Sequence, residues 1–203
     1  MSPHPYSNLP NKAFWKRGVA ENGILGVTDV WQSRWELPQD VKIATFGYCF
    51  AQRVSRALIS RDMNWNNCEP GPKPMPEDLA KAYNFDVFSA RTGNIYTARQ
   101  LLVWAQLAAS PTRCEPEFWP EGDGLRDSLR PAIEPHPFAT LDEARDNRDK
   151  TIQAFRQSIA TSDVLLFTMG LTEGWENKET GLPYAMCPGT IAGEFDPDLH
   201  ELR

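Results

Sequence analysis

From Lys42 to Phe46 the chain reads Lys-Ile-Ala-Thr-Phe and meets Gly47; from Cys49 onward the period changes. An apolar, β-branched run ending on a glycine predicts a strand over 42–46. Phe50, Val54, Ala57 and Leu58 then recur on one helical face with Arg53, Arg56 and Arg61 displaced from it, which predicts a helix over 49–60. Between the two lies a sharp strand-to-helix corner. Further on, Thr97 with Gln100 has capping-box spacing, and the Leu- and Ala-rich stretch behind it predicts a helix ended by Ser110 and Pro111. Thr140 with Glu143 repeats the device before Leu141, Ala144, Ile152, Phe155 and Ile159, whose spacing predicts the longest helix. At "TSD" this gives way to "VLLFTMG", a continuous apolar run of strand length. Such a run suits a strand buried on both faces of a parallel sheet.

The rest is punctuated rather than periodic. Residues 1–37 contain Pro3, Pro5 and Pro10 and predict an irregular arm, packed on the domain through Trp15, Trp31 and Trp35. Residues 38–203 read as one domain. "NCEPGPKPMPEDLA" (67–80) carries four prolines and predicts a loop, since proline donates to neither regular ladder. A second proline- and glycine-rich passage covers 111–137, and the tail after Leu171 reads as loop. "NFDVFSA" (84–90) is a candidate third strand. Strand, helix, loops, helix, loops, long helix, strand is an α/β pattern with a mostly parallel sheet. Two or three strands are few for an independent α/β domain, so the domain reads as incomplete, the front portion of a longer one.

Composition narrows the function classes. The net charge of −6, with Lys and Arg scattered, argues against a nucleic-acid backbone as partner, which needs a basic stripe. The longest apolar run, 164–171, falls far short of the ~20 residues that span a bilayer. The polar, proline-rich start carries no apolar signal stretch, so no membrane partner and a cytoplasmic location are expected. Cys49, Cys68, Cys114 and Cys187 form no CxxC pair and are expected to be reduced thiols. No cofactor motif is present, and nothing in the spacing supports a metal site.

Ligands of open parallel sheets bind beyond the carboxyl ends of the strands. Two such ends are legible, "GYCFAQ" and "GLTEGW", which would bring Gly47, Tyr48, Cys49, Thr172 and Glu173 to one rim. "RTGNIYT" would add Gly93 and Asn94, and an Asn amide with free backbone N–H groups suits an oxyanion. Trp104 reads as helix core, whereas Trp175 follows the rim loop. Glu173 is a candidate general acid or base, or the partner of an arginine such as Arg91.

"GYCFA" resembles the Gly-Ser-Cys-Phe-Ala signature of the GSCFA-domain family. "VFSARTGNIYTARQLL", "RPAIEP", "DVLLFTMGLTEGW" and "YAMCPGTIAGEFDP" resemble successive blocks of that family, in order, over roughly Pro38 to the C-terminus. The resemblance implies a flavodoxin-like, three-layer α/β fold of the SGNH-hydrolase kind. It also implies ester hydrolase or acyltransferase chemistry on a small-molecule or carbohydrate ester, without a cofactor. In such enzymes a serine on the first corner attacks the carbonyl, a glycine amide and an asparagine hold the oxyanion, and a C-terminal histidine is the base.

Three departures stand out. The serine's place falls on Tyr48, whose phenol oxygen lies about 6.5 Å from Cα against roughly 2.4 Å for a serine hydroxyl, by ordinary bond lengths. Tyr48 is expected to fill or cover the pocket, and Cys49 to be a buried structural thiol. In "GLTE" (170–173) the block's asparagine is absent, which leaves Thr172 or Glu173 to substitute. His200, in "FDPDLHELR", is expected at the surface; neither His136 nor His4 has a better claim as base. Three readings stand: a degenerate ester-hydrolase site, a remnant that binds without catalysis, and, behind both, an enzyme that uses Cys49 as its nucleophile.

Overall fold

The structure, a computed structural model, describes residues 4–110 and 116–203. The chain divides into two compact units, 1–38 and 39–203. The first contains a 3-10 turn (Asn11–Ala13), a π-helical turn (Lys16–Ala20) and α1 (Gly23–Gly26). Within this unit Trp15, Trp31 and Trp35 are largely exposed.

In the second unit β1 (Ile43–Phe46) pairs in parallel with β4 (Val164–Phe167), Ile43 opposite Val164 and Phe46 opposite Phe167. α2 (Cys49–Ile59) leaves the end of β1. α3 (Glu77–Ala82) closes the proline-rich loop, its first turn set by Pro76 at the N-cap. α4 (Ala98–Ala109) and α5 (Leu141–Thr161) begin where their caps predict: the Thr97 and Thr140 side chains accept from the N–H groups of Gln100 and Glu143.

Alternation along β1 sends neighbouring side chains to opposite faces. On one face the Thr45 hydroxyl meets the Ser55 hydroxyl of α2 at 2.8 Å and accepts from the Trp65 indole at 2.8 Å. On the other, Phe46 stacks on Phe155 of α5 at 4.7 Å, and Phe155 on Trp104 of α4 at 6.0 Å. These residues, with Ala44, Ala51, Ile95, Val103 and Leu107, form the core.

Several sequence expectations are corrected. Segment 84–90 lies beside β1, since Ser89 N–H donates to Thr45 O, but it is not a strand. The Ser89 hydroxyl, not a backbone carbonyl, accepts from Thr45 N–H, and Asn84 and Asp86 have positive φ. The passage 111–137, described from residue 116, holds an antiparallel hairpin of β2 (Phe118–Glu121) and β3 (Gly124–Asp127). The tail contributes β5 (Trp175–Asn177) and β6 (His200–Leu202), paired antiparallel across a long excursion. β4, expected to be buried on both faces, is only half covered, with Leu165 45% exposed, and β1 is its single strand neighbour among the described residues. The buried face of α2 is Ala51 and Ser55, whereas Phe50 is exposed.

A buried ionic cluster joins the hairpin, α5 and the segment before α4. Asp127, fully buried, accepts from Arg130 Nε at 2.8 Å and Arg148 Nη2 at 2.6 Å. Burial alone would raise the Asp127 pKa, but the two guanidinium groups outweigh it and hold the carboxyl below the ordinary carboxylate range. Arg130 Nη1 also donates to Arg91 O and the Thr151 hydroxyl, and Arg91 pairs with Glu134 at 2.7 Å.

Candidate functional site at the strand ends

Three loops meet beyond the carboxyl ends of β1 and β4. The first is the corner. Gly47 has φ +137°, a conformation glycine adopts freely, and a Cβ there would collide with the Thr168 hydroxyl and carbonyl. Thr168 follows β4, so the corner and the second loop are in close contact: Thr168 N–H donates to Phe46 O at 3.1 Å and Tyr48 N–H to the Thr168 hydroxyl at 3.4 Å. The third loop, 93–96, is tied to both. Ile95 N–H donates to Gly47 O at 2.7 Å, and Gly170 and Leu171 N–H both donate to Tyr96 O, at 3.0 and 3.1 Å.

Tyr48 is the N-cap residue of α2 and supplies no side-chain cap. First-turn N–H groups of that helix lack intrahelical acceptors, as at any helix start. The Tyr48 ring packs on Gly170, where an added Cβ would lie 2.9 Å from its Cδ1, and stands 6.3 Å from the Tyr96 ring. Cys49, expected to be buried, is exposed. One step past the corner, its side chain has turned away from the sheet.

Gly93 and Asn94 line a cavity of about 100 Å³ with Gln52, Asn84, Tyr96 and Arg130 among its other walls. Gly93 has φ +65°, and a Cβ on it would lie 3.2 Å from Arg130 Cβ, so the ionic cluster forms the floor beneath it. The Asn94 carboxamide accepts from Gln52 Nε2 at 3.1 Å and donates to the Tyr96 hydroxyl at 2.9 Å. Gln100, in the capping box of α4, accepts from both Tyr96 and Thr97 N–H and fixes the far end of this loop.

Thr172 and Trp175 sit elsewhere. They line a separate cavity of about 250 Å³ with Arg99, Glu176, Tyr184 and Arg203. There Glu176, buried, takes Arg203 on one carboxylate oxygen at 3.0 Å and Arg99 on the other. Glu173 is exposed and accepts from the Thr172 hydroxyl, while Arg91 is committed to Glu134. The single rim expected from the sequence is therefore two neighbouring recesses, with Asn94 in one and Thr172 in the other.

His200 is buried, contrary to the surface position expected. Its Nδ1 accepts from Asp196 N–H at 3.0 Å, and its ring packs edge-on to Tyr184 at 5.6 Å. Its Nδ1 is thus engaged as an acceptor within the tail. Neither cavity is lined by a histidine among the described residues. Nor do the described residues contain a group of His, Cys, Asp and Glu that could hold a metal ion. No helix among them is long and apolar enough to cross a membrane. Cys114 lies outside the described residues.

Sequence reasoning missed Gln52, Tyr96 and Thr168. Gln52 stands one helical turn after Tyr48, Tyr96 two residues after Asn94, and Thr168 immediately after the apolar strand. Those offsets from the predicted strand ends were the available signals.

Comparison with curated proteins and with solved structures gives no match. Against protein-family models, residues 42–203 match the one described as the GSCFA family. That span covers the corner, both recesses and the ionic cluster, and the chain belongs to the GSCFA family.

Proposed function

We propose that residues 39–203 form an SGNH-like, three-layer scaffold for recognising an acyl ester, with the nucleophile's position held by Tyr48. The observation that carries this reading is the convergence of the Gly47–Tyr48 corner, the Gly93–Tyr96 loop and the Thr168–Leu171 loop, hydrogen-bonded to one another at the ends of two parallel strands. The placement of α2 and α5 on opposite faces of β1 supports the layered architecture. Strand ends, an asparagine amide and a capless helix start are the parts from which an oxyanion site is assembled.

In this chain the scaffold recognises its ligand rather than turning it over. Tyr48 is too long to deliver its oxygen where a corner serine would, and among the described residues the Asn94 recess is lined by no histidine or carboxylate. The ligand is a small-molecule or carbohydrate ester, and Thr172 and Trp175 contribute a neighbouring recess for its leaving portion.

The test is hydrolysis of a small aryl acetate. Wild type should give no rate above buffer. Tyr48→Ser should give a rate at least about tenfold above wild type, since oxyanion stabilisation and binding alone sustain measurable catalysis when a triad is incomplete. Equal rates for the two proteins would count against the corner as a nucleophile site.

A further inference from the structure

The three side chains at the Asn94 recess form a relay with a fixed direction. Gln52 Nε2 donates to Asn94 Oδ1, and Asn94 Nδ2 donates to the Tyr96 hydroxyl oxygen. A phenol oxygen that accepts keeps its own O–H for donation, and a preceding donor polarises that O–H further. The relay thus ends in a donor, the Tyr96 O–H, and begins with an acceptor, Gln52 Oε1.

The recess offers no unpaired charge. Arg130 is the single charged residue lining it among the described residues, and its guanidinium is bound by Asp127, Thr151 and the carbonyl of Arg91. An ion entering would be desolvated without a counter-charge, which is costly. A neutral group carrying both an acceptor and a donor meets no such penalty. The volume, about 100 Å³, corresponds to roughly three waters' share of liquid water, enough for an acetyl-sized group with the remainder of the ligand outside.

Building on the ester-recognition reading, we propose that Tyr96 is the residue that selects the ligand of this recess, donating its O–H to the carbonyl of a neutral acylated sugar while Gln52 Oε1 accepts from a neighbouring hydroxyl or amide N–H. Asn94 then serves as the positioning residue that orients the Tyr96 hydroxyl.

The test uses the full chain labelled with nitrogen-15, titrated with N-acetylglucosamine and, separately, with its charged counterparts acetate and glucosamine. The side-chain amide signals of Gln52 and Asn94 report the binding. N-acetylglucosamine should saturate those shifts at millimolar concentration, and neither ion should. Tyr96→Phe, which keeps the ring and the fold, should weaken the sugar by about five- to tenfold, the loss of one hydrogen bond. The proposal is overturned if the sugar produces no saturable shift, if either ion binds as well, or if Tyr96→Phe binds like wild type. Sugar binding that responds to Tyr96, together with no turnover by Tyr48→Ser, would sink the ester-site reading alone. Turnover by Tyr48→Ser without an effect of Tyr96→Phe would sink this proposal alone.

Discussion

The Tyr48 ring rests on the α-carbon of Gly170, with Cδ1, Cε1 and Cγ all within 3.2 Å of where a β-carbon would stand. The corner after β1 and the loop after β4 therefore share one side-chain-sized space, and Tyr48 takes all of it. Gly170 is not in the left-handed region, so a larger residue there is opposed by the ring and not by backbone strain. Gly170→Ala should destabilise the domain by about 1–3 kcal/mol through overpacking, lowering Tm by several degrees. Tyr48→Ser in the same chain should restore most of that loss. A double-mutant cycle by thermal melting checks this: additive effects would mean that the two positions do not compete.

Asp127 gives the fold an acid limit. Its native carboxyl sits below the ordinary range because Arg148 and Arg130 overcome the burial penalty. A depressed native pKa contributes stability that is fully present above the unfolded value, near 3.9, and is lost as pH falls through the native one. Wild-type stability to urea should therefore decline as pH drops below about 4. Asp127→Asn should be less stable at neutral pH by about 3–5 kcal/mol, because two buried guanidinium groups lose their anion. It should also show a shallower slope in the acid range, and identical slopes would contradict the assignment.

Thiol reactivity should rank by exposure. Cys49 is exposed, whereas Cys68 and Cys187 are half-buried with thiols pushed up by burial. Iodoacetamide at mildly alkaline pH, followed by peptide mapping, should label Cys49 before either of them. Cys49→Ala should leave Tm within the small range typical of surface changes. Slow labelling of Cys49 would return it to the buried, structural role.

The cap of α4 is coupled to the recess. Gln100 accepts from Tyr96 and Thr97 N–H and donates to Tyr184 O. Thr97→Ala removes one cap bond and should cost about 1 kcal/mol. Gln100→Ala also strands a buried carbonyl, which adds about 1–3 kcal/mol. It should move the Tyr96 resonances as well, whereas unchanged Tyr96 resonances would show that the cap and the recess are independent.

Helices were legible where a cap and a periodic face coincided, as at Thr97 and Thr140, because both signals are local. β1 and β4 were legible from their apolar runs, and the corner from Gly47. The β2–β3 hairpin and the β5–β6 pair were not: these strands are three or four residues long, and β5 pairs with a segment more than twenty residues away. Their chemistry is set by partners that no local window contains. The site followed the same division. Tyr48, Gly93 and Asn94 could be placed at strand ends from sequence, but the separation of Asn94 from Thr172 depends on where the chain folds back after Gly170. The burial of His200 depends on the distant pairing of β6 with β5, invisible in its own neighbourhood. Phe50 and Cys49, both expected inside, are exposed, because the helix leaves the corner with Ala51 and Ser55 turned to the sheet.

The most direct test of the corner's role is site-resolved acylation. Tyr48→Ser in a Cys49→Ala background, which removes the competing exposed thiol, would be incubated with a small aryl acetate and mapped by peptide mass. The account predicts one acetyl group, on residue 48, and none on the Cys49→Ala protein that retains Tyr48. Acetyl groups scattered over lysines, with residue 48 unmodified, would contradict it.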